Sequence, residues 1–240
     1  MKKITSILSL IFLALGAFIL WELLVKVVPP EAPKATVTIP EGWTVHEINE
    51  YLRKEGILTS GELSNDLEGY LFPDTYEFFL GSSPEVVVAR FKENFEAKVA
   101  EAGIDTNQPD FHSTLIMASL IEKEVKDHGE QRIASGILWK RLAEGVALQV
   151  DATICYMKAP DECLPITVGD KAVDSPYNTY LYRGLPPGPI SNPGLNSIKA
   201  ADKPVASPYW YYLSDPETGK TVFAKTLDEH GSNIIKYLHE

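Results

Sequence analysis

Positive charge is in deficit: 22 Lys and Arg stand against 33 Asp and Glu, a formal net charge of −11 at pH 7. A chain this acidic carries no basic stripe to follow a phosphate backbone, so no nucleic acid partner is expected. Cysteine is scarce, with only Cys155 and Cys163 in 240 residues. Two are too few for a disulfide-built scaffold, and without His or Cys neighbours at ligand spacing they are too few for a structural zinc site. The histidines, at 46, 112, 128, 230 and 239, never fall at the H-x-x-x-H spacing, so no metal and no cofactor is expected. A G-x-S-x-G elbow, a phosphate-binding glycine loop and a dinucleotide fingerprint are also missing, which disfavours serine hydrolases, kinases and dehydrogenases. Internal repeats and low-complexity tracts are absent as well.

One long apolar run is present. "MKKITSILSLIFLALGAFILW" opens with Lys2 and Lys3 and then stays apolar from Ile7 to Trp21. With Leu23, Leu24 and Val25 this approaches the ~20 residues that a spanning helix requires. A cleaved signal peptide is the alternative, with Ala14-Leu15-Gly16 as a weak processing site, although the apolar stretch continues past it. The reading preferred is an N-terminal transmembrane anchor over residues 1–28, Lys2 and Lys3 holding the N-terminus in the cytoplasm. Residues 29–35, rich in proline, form a linker. Beyond the membrane an oxidising compartment would permit a Cys155–Cys163 disulfide, and two unpaired thiols are the other possibility.

The rest reads as α+β. Val37 and Ile39 alternate with threonines as a short strand. Thr44 and Glu47 form a capping box for a helix whose apolar face is Val45, Ile48, Leu52 and Ile57. This strand–helix unit is too small to stand alone. Pro84 opens a second helix, with Val86, Val87, Ala89, Phe91, Phe95 and Val99 as its buried stripe. A helix over "LIMASLIEKEV" and another over "QRIASGILWKRLAEG" follow, the latter on Ile133, Ile137, Leu138 and Leu142. "VALQVDATICYM" reads as a strand or a strand and turn, and 164–195, punctuated by proline and glycine, as an ordered irregular loop. "PYWYYLSD" and "GKTVFAKTLDEH" pair as a hairpin, and a short helix, Ile234 to Leu238, ends the chain.

The chemistry that remains is that of carboxylates. Glu122 and Glu124 end an apolar helix, and two residues at 3.6 per turn place them about 200° apart, so one site cannot use both. Leu115, Ala118 and Ser119 lie beside Glu122 and, being mostly small, leave room for a cleft, whereas Met117 and Leu120 lie beside Glu124. Either carboxyl, if poorly solvated, would keep its proton toward neutral pH as a general acid must. Two solvated glutamates in a fraying last turn are the plain alternative. Tyr177, Asn178, Tyr180, Tyr182 and Asn192 supply the flat rings and amides that a sugar groove uses, or else pack their loop.

The blocks "LEGYLFPDTYEF" (67–78), "ASLIEKEV" (118–125), "LQVDATICY" (148–156), "DSPYNTYLYRGLPPGPISNPG" (174–194) and "VFAKTLDEH" (222–230) occur in this order. Together they resemble the endolytic murein transglycosylases, the MltG or YceG-like family. The resemblance implies an α+β fold in which a reduced LysM-like strand–helix unit at 36–66 precedes a catalytic domain at 67–240, a helical body with a small antiparallel sheet. It implies a lytic transglycosylase of the inner membrane whose periplasmic domain cuts the MurNAc–GlcNAc bond of nascent glycan strands. The cut leaves 1,6-anhydroMurNAc ends and terminates elongation. It places the catalytic acid at Glu122, with Glu124 in reserve, and lines the groove with Gln149, Asp151, Tyr177, Asn178 and Tyr180. Peptidoglycan strands are the implied substrate, and penicillin-binding synthases the implied protein partners. Two alternatives stand beside it: a glycan-binding or scaffolding relative that does not cleave, and a hydrolytic muramidase with Asp151 as base.

Overall fold

The computed structural model describes residues 13–22, 32–158, 163 and 165–238. The chain divides into two compact units, 1–34 and 35–240. In the first, residues 13–22 are helical (α1) with exposed side chains. Most of the expected membrane anchor, and the linker to residue 31, lie outside the described residues. Among the described residues no helix is long and apolar enough to cross a membrane.

Strand β1 (Lys34–Thr38), which lies in the second unit from Ala35 onward, pairs with β2 (Thr75–Phe79). Between them lies α2 (Val45–Lys54), opened by the expected capping box. The Glu47 amide donates to Thr44 Oγ1 at 3.2 Å, and the Thr44 amide donates back to Glu47 Oε2 at 2.7 Å. Val45, Ile48, Leu52 and Ile57 are fully buried, as their spacing predicts, against Tyr76 and Phe78 of β2 and Val87 and Phe91 of α3 (Pro84–Glu101). The strand–helix unit thus shares one core with the elements after it. β2 is hidden from the sequence reading because Pro73-Asp74 in the aromatic run suggests only a turn. The stripe of α3 is narrower than expected: Val87, Phe91, Phe95 and Val99 are buried at spacing four, while Val86 and Ala89 face outward.

Phe95 and Val99 enter a second core built around α4 (Phe111–Glu124), buried on every side from Thr114 to Ile121. Around it pack α5 (His128–Ala143), α6 (Asp151–Met157) and α7 (Leu195–Asp202). On α5 the fully buried positions are Gln131, Ala134, Ser135, Ile137, Leu138 and Arg141, whereas Ile133 and Leu142 are half-buried. The run expected as a strand at 146–157 is instead α6. Short apolar runs do not distinguish the two by periodicity, and Gln149 breaks the extended path with a left-handed φ of 54°. The irregular loop ends where Gly194 caps α7, a helix its glycine-proline surroundings conceal. β3 (Tyr211–Ser214) and β4 (Thr221–Ala224) form the expected antiparallel hairpin, with Tyr211 opposite Ala224 and Leu213 opposite Val222. The last helix, α8 (Leu227–Tyr237), starts seven residues early because Thr226 accepts from the Glu229 amide at 3.1 Å. Cys155 and Cys163 are joined in a disulfide.

Candidate active site

The last turn of α4 sends its two carboxylates to different places. Glu122 accepts from the Gly194 amide at 2.9 Å, the N-cap of α7. Lys123 beside it donates to the Gly42 carbonyl at 3.2 Å. The loop 41–43 is itself stitched to Asn192, whose amide donates to the Trp43 carbonyl at 2.8 Å while its own carbonyl accepts from Gly42 at 2.9 Å. The room that Ala118 and Ser119 leave beside Glu122 is filled rather than open. Ser119 Oγ accepts from the Ile190 amide at 3.0 Å, and Ser191 Oγ donates to the Ser119 carbonyl at 3.2 Å. Glu122 is therefore an anchor for the proline-rich loop. Its charge, second to burial, raises the pKa of neighbouring Glu41, and His128 opposes the shift.

Glu124 faces the other way. Its carboxylate accepts from the Ala152 amide in the first turn of α6 and from the Tyr212 hydroxyl of β3, each at 3.3 Å. Ser214 Oγ bonds its carbonyl at 2.9 Å. Burial is the largest influence on Glu124 and the Asp151 charge adds to it, while the two hydrogen bonds oppose; the net result pushes its pKa up to about 7. Of the pair, Glu124 is thus the one placed on a dry floor.

Three of the expected groove residues gather around it. Asp151 precedes the Ala152 amide and accepts a short hydrogen bond from the Tyr180 hydroxyl. Lys171 Nζ lies 3.3 Å from Asp151 Oδ1 and 4.5 Å from the Tyr180 ring centroid. Gln149, in its left-handed conformation, accepts from the Arg141 guanidinium at 2.9 Å. A non-glycine residue held there is locally strained, a feature that concentrates at functional sites. Arg141 is buried at 7% exposure beneath Tyr211, and its charge opposes the upward shift that burial and the Glu124 charge give Tyr212.

The other two expected groove residues are elsewhere. Asn178 is fully buried, donates to the Lys171 and Val173 carbonyls at 3.1 and 2.8 Å, and accepts from the Tyr180 amide at 3.0 Å. It shapes the loop that presents Lys171 and Tyr180. Tyr177 packs on Tyr156 of α6, ring centroids 5.0 Å apart. The Tyr156 hydroxyl points to Glu68 at 3.5 Å. Glu68 also accepts from Asn192 Nδ2 at 2.9 Å and from the Val45 amide at 3.2 Å, and burial pushes its pKa up to about 7 despite those donors. Arg141, Tyr212 and Lys171 escape a sequence reading because each reaches Glu124 or its neighbours from a distant element. A cation inside an apolar helical face is the only local signal, and only Arg141 carries it.

Fold and site together define an α+β protein in which a half-buried carboxylic acid at the end of a buried helix is walled by tyrosines and two cations. The profile of the YceG-like family matches residues 18–236, and the chain belongs to that family. It is 37% identical over 181 residues to the protein of Bacillus subtilis (strain 168) called endolytic murein transglycosylase, covering 73% of this chain and 49% of that one. It is 26% identical over 267 residues to the protein of the same description in Streptococcus pneumoniae serotype 2, covering 88% and 46%. The chain thus spans about half the length of these relatives. Among solved structures it resembles a yceG-like protein of Listeria monocytogenes at 32% identity, with a TM-score of 0.70 over 84% of this chain and 76% of that one.

Proposed function

We propose that this chain is an endolytic peptidoglycan lytic transglycosylase with Glu124 as its single acid and base. The observation that carries the reading is the setting of Glu124. It is a carboxyl kept protonated near neutrality by burial and by Asp151, with Tyr180 bonded to Asp151 and Gln149 held by Arg141 in the same cluster. The reaction breaks the MurNAc–GlcNAc bond in two proton movements. Protonated Glu124 gives its proton to the glycosidic oxygen as the C1–O bond breaks. The resulting carboxylate then takes the proton of the muramic C6 hydroxyl as that oxygen bonds to C1. No water is consumed, and the product ends in 1,6-anhydroMurNAc. Ordinary glycosidases use a second carboxylate as base or nucleophile. Here the tethered hydroxyl makes it dispensable, because its effective concentration at C1 is already high. Asp151, engaged by Lys171 and Tyr180, is then left to shape the charge of the site.

The same reading takes residues 1–28 as a single-pass inner-membrane anchor with the N-terminus cytoplasmic and the catalytic unit periplasmic. It takes 36–66 as a reduced LysM-like unit, and termination of glycan elongation beside penicillin-binding synthases as the physiological role. The apolar N-terminal run supports the anchor, and the names of the relatives support murein as the substrate. Mass spectrometry of products from uncrosslinked glycan strands is the test. Anhydro ends are expected. Reducing ends would make the protein a muramidase, and intact strands with a folded protein would make it a binding or scaffolding relative.

A further inference from the structure

We propose that Lys171 is a positioning residue of this site: held against Asp151 and over the Tyr180 ring, it offsets the Asp151 charge beside Glu124 and so governs how readily Glu124 carries its proton. The inference rests on the reading of Glu124 as the acid. The groups that face Glu124 come from several elements. From α6 there are the Asp151 carboxylate and the Ala152 amide, from β3 the Tyr212 hydroxyl, from α5 the Arg141 guanidinium beyond Tyr212, and from the long loop Tyr180. Asp151 is the one anion among them, and Lys171 is the cation in ion-pair contact with it. Without Lys171, the Asp151 charge would act on Glu124 unopposed from a carboxylate that is itself half exposed to solvent, and like charges at short range hold a proton in place.

Lys171 is also held by more than this contact. Its carbonyl accepts from the buried Asn178 at 3.1 Å. Its neighbour Asp170 takes Lys158, at the end of α6, at 3.1 Å, with both side chains mostly covered. Cys155 of α6 is bonded to Cys163 on the chain leading to this turn. One end of α6 thus carries Asp151 while the other is tied, by a covalent bond and an ion pair, to the segment that delivers Lys171. A flexible surface lysine would not warrant such restraint.

The test is the carboxyl 13C titration of Glu124 in glutamate-labelled full-length chain, assigned by its loss in Glu124→Gln. Lys171→Met is expected to raise the midpoint by about 0.5 to 1 unit, as one charge removed at this range would do. Asp151→Asn is expected to lower it, and Lys171→Arg to restore the wild-type value. In an Asp151→Asn background, Lys171→Met should move the midpoint little. An unmoved midpoint in Lys171→Met, or an equal shift with and without Asp151, overturns the proposal. The alkaline limb of glycan cleavage should follow the same order. Absence of cleavage by the wild-type chain would instead sink the functional reading, and the titration would still decide the role of Lys171.

Discussion

Replacing Glu124 by glutamine should abolish cleavage and stabilise the fold, with the gain confined to neutral and alkaline pH. The unfolded carboxyl titrates near 4.5 and the folded one near 7. Below pH 4.5 it is protonated in both states and costs nothing. As pH rises from 4.5 to 7, the unfolded chain releases the proton while the fold retains it, so stability falls. Above 7 the fold bears the full penalty. At 1.36 kcal/mol per unit the gap sets a ceiling of about 3 kcal/mol. Glutamine keeps the shape, its oxygen can accept from the Ala152 amide, and its NH2 can donate to the Tyr212 oxygen. At roughly 2–4 °C per kcal/mol for a chain of this size, Glu124→Gln should melt several degrees above wild type at pH 8 and within about a degree of it at pH 4.5. Glu68, which also titrates near 7, is common to both proteins and cancels in the difference. Paired calorimetric scans at the two pH values are the assay. Equal melting temperatures at pH 8, or a destabilised variant, would refute the claim that Glu124 sits desolvated.

Three further outcomes are expected. Gly136→Ala would set a Cβ 2.0 Å from the Val205 carbonyl oxygen, a backbone atom that cannot swing aside. It should cost about 1–3 kcal/mol or more in urea unfolding, with lower turnover because the chain from Val205 leads into the strand bearing Tyr212. Glu68→Ala should cost about 1–3 kcal/mol in the same assay by orphaning the Val45 amide and leaving Asn192 Nδ2 with the Trp43 carbonyl alone, with Glu68→Gln losing less. Serine at both Cys155 and Cys163, eight residues apart, should cost about 2.5 kcal/mol of unfolding free energy by loop-closure entropy.

Local signals carried much of the fold. Thr44 and Glu47 announce α2 by a hydrogen-bond pattern three residues long, and the β3–β4 hairpin follows from alternating apolar residues around Asp215–Gly219. The misses share a cause: β2, α6 and α7 are short, and what makes them is tertiary. β2 exists because β1 pairs with it, α6 because Gln149 turns sharply with its amide on the Thr179 carbonyl at 3.1 Å, and α7 because Gly194 sits on Glu122. The glutamate pair shows the same limit. Helix geometry separates Glu122 from Glu124 without saying which faces a cleft. Small neighbours argue for Glu122, yet smallness serves loop packing as well as it serves substrate, and Ile190 and Ser191 took the space. The contacts on which the Glu124 proposal rests come from residues 152 and 212, which no reading of the helix alone could bring to it.

The central claim is that Glu124, and not Glu122, moves the protons. Glycan strands should be incubated with wild type, Glu122→Gln and Glu124→Gln at equal concentrations, and anhydro-ended fragments counted by mass spectrometry. The account predicts such fragments from wild type, fewer from Glu122→Gln through a loosened loop, and none from Glu124→Gln. Cleavage surviving in Glu124→Gln while Glu122→Gln is inert would contradict it.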